Sequence, residues 1–190
     1  MPSFFAKLLA TRMLIRVMGG LGLLWLGYIM LSASFSGGGP KEVSLERLAT
    51  RVEGFALAFP PRPIPPMPVQ GANGPVTLND IEGKIIITHF RPVNCGTRCD
   101  AALEALYEQT EAITGPQVSL VSITLSEKVS TLPVPVPSYA DPQGLYRDYV
   151  GTGPMTVIYQ PGWGEIGRDN GQTNWGSPAA TRFLEALAIR

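Results

Sequence analysis

Two cysteines, Cys95 and Cys99, are the residues of this chain best suited to chemistry, and the sequence contains no others. The apolar run Lys84–Phe90 before them predicts a buried strand, and the amphipathic pattern after them predicts a helix from about Cys99 to Ile113. A thiol at a helix N-terminus meets unpaired N–H groups and the positive end of the helix dipole, which favour the thiolate. Two thiols four positions apart can also close a disulfide. The pair therefore predicts a redox site or a soft-metal site.

The residue types exclude several other kinds of site. Two cysteines and one histidine cannot supply the four ligands of a zinc or iron–sulfur centre. The formal net charge is zero, so the composition gives no indication of a nucleic-acid partner. The single histidine, His89, lies in the predicted strand, where packing inside the sheet is favoured over a role as metal ligand or proton shuttle.

Disulfide exchange assigns different roles to the two cysteines, because it needs an accessible thiolate and a second thiol that resolves the mixed disulfide. Cys95 precedes the helix and is predicted to be the less buried nucleophile, and Cys99, about one turn in, is the resolving thiol. Arg98 and Arg91 are candidates to stabilise the thiolate. The alternative is a structural disulfide. A loop this short constrains the unfolded chain little, so the redox-active interpretation is favoured.

The N-terminal part of the chain predicts a membrane anchor. Residues 17–35 are mostly apolar and uncharged, and nineteen residues of helix span about 28 Å, enough to cross a bilayer. Three basic residues precede this run: Lys7, Arg12 and Arg16. The positive-inside rule then keeps the N-terminus in the cytoplasm, places residues 17–35 in contact with membrane lipid and exports everything after residue 40.

A cleaved signal peptide is the alternative to the anchor. Ser32-Ala33-Ser34 has the small-x-small form of a cleavage site, which predicts cleavage after Ser34. With either segment the folded part lies in a compartment where disulfides persist.

Composition divides the chain into three regions. Residues 1–36 form the cytoplasmic stub and transmembrane anchor, residues 37–68 an amphipathic helix and a proline-rich linker, and residues 69–190 the folded domain. The helix is predicted over 41–59 from apolar residues at spacings of three and four: Leu45, Leu48, Val52, Phe55 and Phe59. The linker, Pro60–Pro68, holds six prolines in nine residues and is predicted to be an extended spacer.

The folded domain is predicted to be an α/β structure with a mixed central sheet flanked by helices. Asn73-Gly74 predicts a hairpin turn before the strand and helix on either side of the cysteine loop. Later strands are predicted at Val118–Leu125 and Met155–Tyr159, and a weak one around Ile166. Two further helices are predicted, a short one from Asp141-Pro142 to Tyr149 and a terminal one capped by Ser177-Pro178. A βαβ unit followed by a hairpin and a covering helix gives the mixed sheet.

Four local pieces resemble exported proteins of the TlpA/ResA type, which have a thioredoxin-like fold, and the resemblance extends over about residues 69–187. They are the segment Val76–Lys84, the strand ending His89-Phe90, the segment Gly153–Ile158, and Asn174–Ser177 before the last helix. The resemblance implies a thiol-disulfide oxidoreductase in the periplasm, held by a single pass in the inner membrane. It also implies that Pro154 is the family's cis-proline, beside the cysteines. The implied partners are an exported client with a cysteine pair and a redox partner in the membrane, in cytochrome c or oxidase maturation.

One departure from that family keeps two alternatives open. Its members carry C-x-x-C after a tryptophan, whereas this chain has C-x-x-x-C after Asn94. The longer spacing is similar to that of the copper-handling Sco proteins. An alternative Cu(I) site would use Cys95, Cys99 and His89, with a thioether from Met67 or Met155, although the histidine lies upstream of the cysteines and none follows them. No cofactor is expected in the favoured reading.

A non-catalytic module is the remaining hypothesis. This hypothesis is an accessory subunit of a membrane complex, in which the fold serves for docking and not for catalysis. Two features suit it: Gly96 and Thr97 stand between the cysteines, and the tryptophan before the first cysteine is absent.

Overall fold

The computed structural model describes residues 44–113, 117–151 and 153–189. The predicted membrane span over 17–35 and the alternative cleavage point after Ser34 lie outside these ranges. Across the described ranges, no helix is both long enough and apolar enough to cross a bilayer.

Eight strands and four α-helices make up the described chain. The strands are β1 Phe55–Arg62, β2 Val69–Gly71, β3 Gly74–Val76, β4 Ile85–Arg91, β5 Val118–Thr124, β6 Ser138–Ala140, β7 Met155–Gln160 and β8 Gly164–Asp169. The helices are α1 Leu45–Ala49, α2 Thr97–Ala112, α3 Arg147–Val150 and α4 Pro178–Ala188, with one 3-10 turn at Leu78–Asp80. The predicted α/β architecture with a mixed sheet is confirmed.

Strand β4 lies near the centre of a single sheet with the order β1-β8-β7-β4-β5-β6-β2-β3. It pairs in parallel with β5 and antiparallel with β7. All seven residues of β4 are buried, because both faces of the sheet are covered here. The return from β4 through α2 to β5 is the βαβ unit that the sequence predicted.

The two faces of the sheet have separate apolar cores, since successive strand residues point to opposite faces. On one face Ile85 and Ile87 of β4 pack with α1, α2 and α4, through residues such as Leu103 and Phe183. On the other face Ile86 and Phe90 pack with α3 and the chain around it. We call the first the helical face.

The predicted helix over 41–59 is wrong beyond Ala49. Gly54 takes φ +79, which ends the preceding turns, and the chain continues from Phe55 as strand β1, antiparallel to β8. Phe55 and Leu57 alternate onto the helical face, where Phe55 contacts Trp175. Apolar residues that fit a helical spacing thus also fit a strand, and pairing with β8 decides between them. The sheet therefore begins before residue 69, within the range assigned to the helix and linker.

The proline-rich residues form part of the packed structure and are not a free spacer. Pro60, Pro61 and Arg62 belong to β1. Residues 63–68, here called the strap, connect β1 at one edge of the sheet to β2 on the far side and pack on the non-helical face through Ile64 and Met67. The Tyr146 hydroxyl donates a hydrogen bond to the Met67 carbonyl at 3.2 Å. Prolines suit this position because they bring no N–H that must be satisfied against an apolar surface.

The helix predicted after Asp141-Pro142 is shorter than expected. The buried carboxylate of Asp141 accepts the N–H groups of Leu145 and Tyr146, each at 2.9 Å, so turns occupy the residues up to 146. Helix α3 then occupies four residues. The predicted cap of the terminal helix is confirmed, since the Ser177 hydroxyl accepts the N–H of Ala180 at 3.2 Å.

Replacing Tyr146 with Phe tests how firmly the strap is held. The change keeps the buried ring and removes the bond to the Met67 carbonyl, so we expect a loss of about 1 kcal/mol in the free energy of unfolding. Chemical denaturation measures it. Tyr107→Phe, at a half-buried position on α2, is the matched control. Equal stabilities of the two variants would contradict a bonded strap.

Candidate redox site

The cysteines lie where β4 turns back over the sheet as α2. Cys95 closes a turn, its N–H bonding to the Pro92 carbonyl at 3.2 Å. Gly96 is the N-cap of α2 with φ +59 and ψ −146, a conformation that a side chain disfavours. The Cys99 N–H returns to the Gly96 carbonyl at 3.1 Å. The glycine between the cysteines therefore lets the chain enter the helix while keeping both thiols at its first turn.

Cys95 and Cys99 form a disulfide with a Cα–Cα distance of 5.6 Å. Cys99 is fully buried, whereas Cys95 is half-buried and reachable from solvent. This difference in access fits the predicted roles of attacking Cys95 and resolving Cys99, which stay predictions.

Both candidate arginines are engaged by other groups. Arg91, at the end of β4, is 7% exposed and forms an ion pair with Asp100 of α2 at 2.5 Å between Nη2 and Oδ1. Arg98 donates to the Gly171 carbonyl at 2.7 Å. The first pair fastens the first turn of α2 to the end of β4, and the second fastens that turn to the segment after β8.

Pro154 does not have the conformation that the resemblance implied. Among the described residues the cis peptide is Phe59–Pro60, and the bond before Pro154 is trans. Trans is the ordinary state of an X–Pro bond, and strand pairing of β7 with β4 begins immediately after it, at Met155 opposite Phe90. A cis-proline beside the cysteines is therefore not a feature of this site.

The alternative copper set stays a prediction, because the structure holds Cys95 and Cys99 as a disulfide and Cu(I) would need the reduced thiolates. Within the parts of the chain that the structure describes, no group of three His, Cys, Asp or Glu side chains is placed to share a metal ion. The thioether of Met155 instead accepts from Arg168 at 3.8 Å, and Met67 belongs to the strap.

His89 lies inside the sheet, as the favoured interpretation expected. It is 1% exposed, and its Nδ1 lies 3.1 Å from Oγ1 of Thr156, its direct partner on β7. Burial, and then the positive charge of Arg91, lower the pKa of His89 from 6.5 to about 4. The imidazole is neutral at physiological pH.

A buried aspartate, Asp169, was not singled out by the sequence analysis and bonds to Thr156. Asp169, at the end of β8, accepts the N–H groups of Thr156 at 2.6 Å and Gly171 at 3.0 Å, and the indole N–H of Trp175 at 2.9 Å. Burial raises the pKa of Asp169 in spite of these donors. Asp169-Asn170-Gly171 reads as a turn in sequence, and only tertiary pairing shows that the carboxylate points inward.

A groove of about 340 Å³ runs beside the first turns of α2, lined by Arg98, Ala101, Ala102, Ala105 and residues 171–175. A larger apolar groove of about 660 Å³ lies between α1 and β1, but its lining includes neither cysteine.

No protein-family model matches this chain, and no curated protein sequence matches it. Solved structures do match. One is the thioredoxin domain of a thiol-disulfide oxidoreductase from Bacteroides vulgatus, with a TM-score of 0.53 and 13% identity over 70% of this chain and 99% of that one. Another is the apo Sco1 protein from Thermus thermophilus, with a TM-score of 0.53 and 15% identity over 70% and 94%.

The described chain has a thioredoxin fold. A peroxiredoxin Q from Xanthomonas campestris is also similar, with a TM-score of 0.52 and 12% identity over 64% of this chain and 92% of that one. The predicted resemblance is therefore confirmed for the thioredoxin fold. At such low sequence identities, structural similarity does not distinguish among the activities that thioredoxin-fold proteins perform.

Gly96→Ala tests the entry to α2. A Cβ at Gly96 would meet no atom within 4 Å, so its cost comes from the backbone at φ +59. We expect a loss of about 1–3 kcal/mol in the free energy of unfolding. Gly153→Ala is the control, because its Cβ also meets open space and its φ lies outside the left-handed region. If Gly96→Ala and Gly153→Ala were equally stable in chemical denaturation, the predicted backbone strain at position 96 would be disproved.

The buried histidine predicts a definite pH dependence of stability. With a pKa of 6.5 unfolded and about 4 folded, His89 takes up its proton preferentially in the unfolded state as the pH falls. This contribution is fully present above pH 6.5 and is lost as the pH falls through 4, by about 3 kcal/mol between pH 7 and 4. His89→Asn should lose this component. The measurement is the wild-type minus variant difference in unfolding free energy against pH, and a flat difference would contradict it.

Proposed function

We propose that this protein exchanges disulfides with an exported client protein through Cys95 and Cys99. The observation that carries the proposal is a disulfide between a half-buried and a fully buried cysteine at the start of a helix in a thioredoxin fold. A structural bridge has no need of an accessible sulfur, and this one closes a loop too short to constrain the unfolded chain strongly.

The proposed order of steps is supported by the different exposure of the two cysteines. In the reduced protein the Cys95 thiolate, stabilised by N–H groups at the start of α2, attacks one sulfur of a client disulfide. A mixed disulfide forms and a client thiolate leaves. Cys99 then attacks the Cys95 sulfur, the Cys95–Cys99 bond forms, and the second client thiolate leaves. The client gains two electrons and the protein loses two, and the reverse sequence oxidises a client dithiol.

The cellular setting belongs to the same proposal. The apolar run over 17–35 supports a single-pass anchor in the inner membrane with the domain in the periplasm, where disulfides persist. A redox partner in the membrane would recycle the pair. By analogy with the TlpA/ResA type, the client is a cytochrome c or oxidase component with a cysteine pair. The proposed exchange reaction contains no copper step.

Cysteine variants of the full chain in detergent test the proposal. With a client-like peptide disulfide, Cys99→Ser should accumulate a mixed disulfide, because Cys95 still attacks and nothing resolves the product. Cys95→Ser should give neither exchange nor trapped product, and it is the matched control because it also removes one thiol. Thiol alkylation followed by mass spectrometry measures both.

Two outcomes would refute this function. One is a Cys95–Cys99 pair that shows no reversible transition in glutathione or dithiothreitol buffers. The other is a Cys95→Ser, Cys99→Ser double variant that fully complements a deletion. The second result would favour the non-catalytic accessory module.

A further inference from the structure

The groove of about 660 Å³ between α1 and β1, here called the apolar groove, has two exposed aromatic side chains in its lining. They are Phe59 near the end of β1, which is 88% exposed, and Trp163 in the turn between β7 and β8, which is 70% exposed. Every other aromatic side chain of the described residues is at least partly buried. The rest of the lining is mostly apolar, and Glu46 is its one charged residue. Exposed aromatic residues around an apolar groove indicate a surface that binds a partner.

Close packing of the backbone holds Trp163 beside the end of β1. The Trp163 N–H donates to the Gln160 carbonyl at 3.0 Å, which closes the turn between β7 and β8. Gly164 takes φ +108, and a Cβ there would overlap the Arg62 carbonyl oxygen, so this glycine lets the turn lie directly against β1. Both exposed aromatic residues are therefore attached to the sheet and not to a long loop.

The apolar groove and the cysteines lie at opposite ends of β4. Ile85, the first residue of β4, lines the groove, and so does Gln160, the last residue of the antiparallel strand β7. Cys95 follows Arg91, the last residue of β4. Seven strand residues span about 20 Å. A partner that covers the groove therefore leaves the cysteines accessible at the far end of the sheet.

The edge of β1 is poorly suited to pairing with a strand of another protein. Strand β1 is the first in the sheet order and pairs only with β8. Pro60 and Pro61 have no N–H to donate, and the register shifts between Leu57 and Arg62. The groove thus offers apolar contact with few backbone hydrogen bonds, which suits hydrocarbon chains better than an added strand.

The chain that precedes the described residues supplies a source of hydrocarbon. Helix α1, which forms one wall of the groove, begins at Leu45, and eight residues, 36–43, separate Ser44 from the apolar run over 17–35. A segment of this length reaches at most about 30 Å. With the run in the membrane, as proposed above, the groove is tethered within that reach of the bilayer. Tethering raises the effective concentration of lipid, so a weak affinity is enough for binding.

The exposed charges of α1 and β1 are compatible with phospholipid headgroups. Residues 44–62 carry three arginines and two glutamates, all exposed: Arg47, Arg51, Arg62, Glu46 and Glu53. Arginine binds phosphate oxygens through its planar set of donors. The arginines can therefore meet lipid phosphates while the apolar lining meets the acyl chains.

We propose that the apolar groove docks on the surface of the bilayer and takes lipid acyl chains, with the Cys95–Cys99 pair held on the side that faces away from the membrane. The inference rests on the single-pass anchor of the proposed function. Trp163 suits the membrane interface, because its indole N–H meets the headgroup layer while the rest of the ring enters the apolar layer. An exported client then approaches the cysteines from the aqueous side.

Quenching of tryptophan emission by brominated lipid tests the docking. The full chain is reconstituted into phosphatidylcholine vesicles at a high ratio of lipid to protein. It contains three tryptophans, and Trp175 is only 1% exposed, so Trp25→Phe leaves Trp163 as the one that lipid can reach. We expect the emission of this variant to fall when the phosphatidylcholine carries bromine near the headgroup end of its acyl chains. The Trp25→Phe, Trp163→Phe double variant should show no such loss.

Phe59→Glu, made in the Trp25→Phe chain, tests whether the groove causes the contact. The side chain is so exposed that the fold should not change, but a carboxylate in the lining opposes entry into hydrocarbon, so we expect weaker quenching of Trp163. Val93→Glu is the matched control, because Val93 is also apolar and 65% exposed but lies at the cysteine end of β4. It should leave the quenching unchanged. Equal quenching in Phe59→Glu and the Trp25→Phe parent would overturn the inference.

The orientation has a reporter of its own. In a chain with Trp25→Phe and Trp163→Phe, Val93→Trp places a tryptophan at the cysteine end of the sheet. We expect brominated lipid to leave its emission unchanged. Quenching as strong as that of Trp163 would contradict an orientation with the cysteines away from the membrane.

Trp25, within the predicted span, distinguishes failure of the docking from failure of the anchor. In the Trp163→Phe chain its emission should be quenched if residues 17–35 lie in the bilayer. A quenched Trp25 with an unquenched Trp163 would overturn the docking and leave the proposed function standing. If neither is quenched, the docking and the proposed anchor both fail, and the cysteine variants still decide disulfide exchange. An unquenched Trp163 whose emission moves to longer wavelength as the chains are diluted in lipid would assign the groove to a second copy and also overturn the inference.

Discussion

The site depends on a strand that is buried along its whole length and ends in polar residues. Strand β4 begins with three isoleucines and finishes with His89-Phe90-Arg91, all of them buried. If β4 ended in apolar residues, hydrophobic packing alone could cover them. A buried histidine and a buried arginine need hydrogen-bond or ion-pair partners inside the protein. Asp100 on α2 supplies one partner to Arg91, and Thr156 on β7 supplies one to His89. The helix that carries Cys99 is therefore positioned by the polar end of the strand it covers.

Much of the same network reaches the segment after β8. Asp169 gathers donors from Thr156, Gly171 and Trp175, and Arg98 binds the carbonyl of Gly171. The first turn of α2 is thus held from two directions, by β4 below and by this segment at its side. A disulfide in such a frame can open and close without displacing the helix, because the helix is fixed by bonds that do not involve sulfur.

Sequence reasoning predicted the parts of this structure that depend on local pattern. The β4–α2–β5 unit follows from the hydrophobic periodicity of the sequence. The greater burial of Cys99 than of Cys95 follows from their positions relative to the helix start, and the Ser177 cap follows from capping chemistry. The β1 strand was missed because Phe55 satisfies a helical spacing and an alternating one equally well. Gly54 was the available signal, and only the pairing partner β8 settles the choice.

The remaining differences arise from contacts between distant parts of the chain. The register that sets His89 opposite Thr156 and Ser122 is a property of three strands together, and no one segment contains it. The inward carboxylate of Asp169 is likewise invisible in a turn-forming sequence. For the strap, composition predicted extended backbone, but packing follows from Ile64 and Met67 between the prolines. Pro154 was assigned by family analogy, and the bond before it is trans.

The strap also has a mechanical consequence. A pull on the N-terminal side of the described chain reaches α1 and β1 first, and β1 lies at the sheet edge, separated from β4 by β8 and β7. The strap connects β1 to β2 across the non-helical face. A force transmitted along the chain beyond β1 therefore reaches the opposite side of the sheet and does not act directly on the β4–α2 connection. Tension would be borne by the β1–β8 ladder and by stiff prolines. The cysteines would keep their geometry while the domain is under tension.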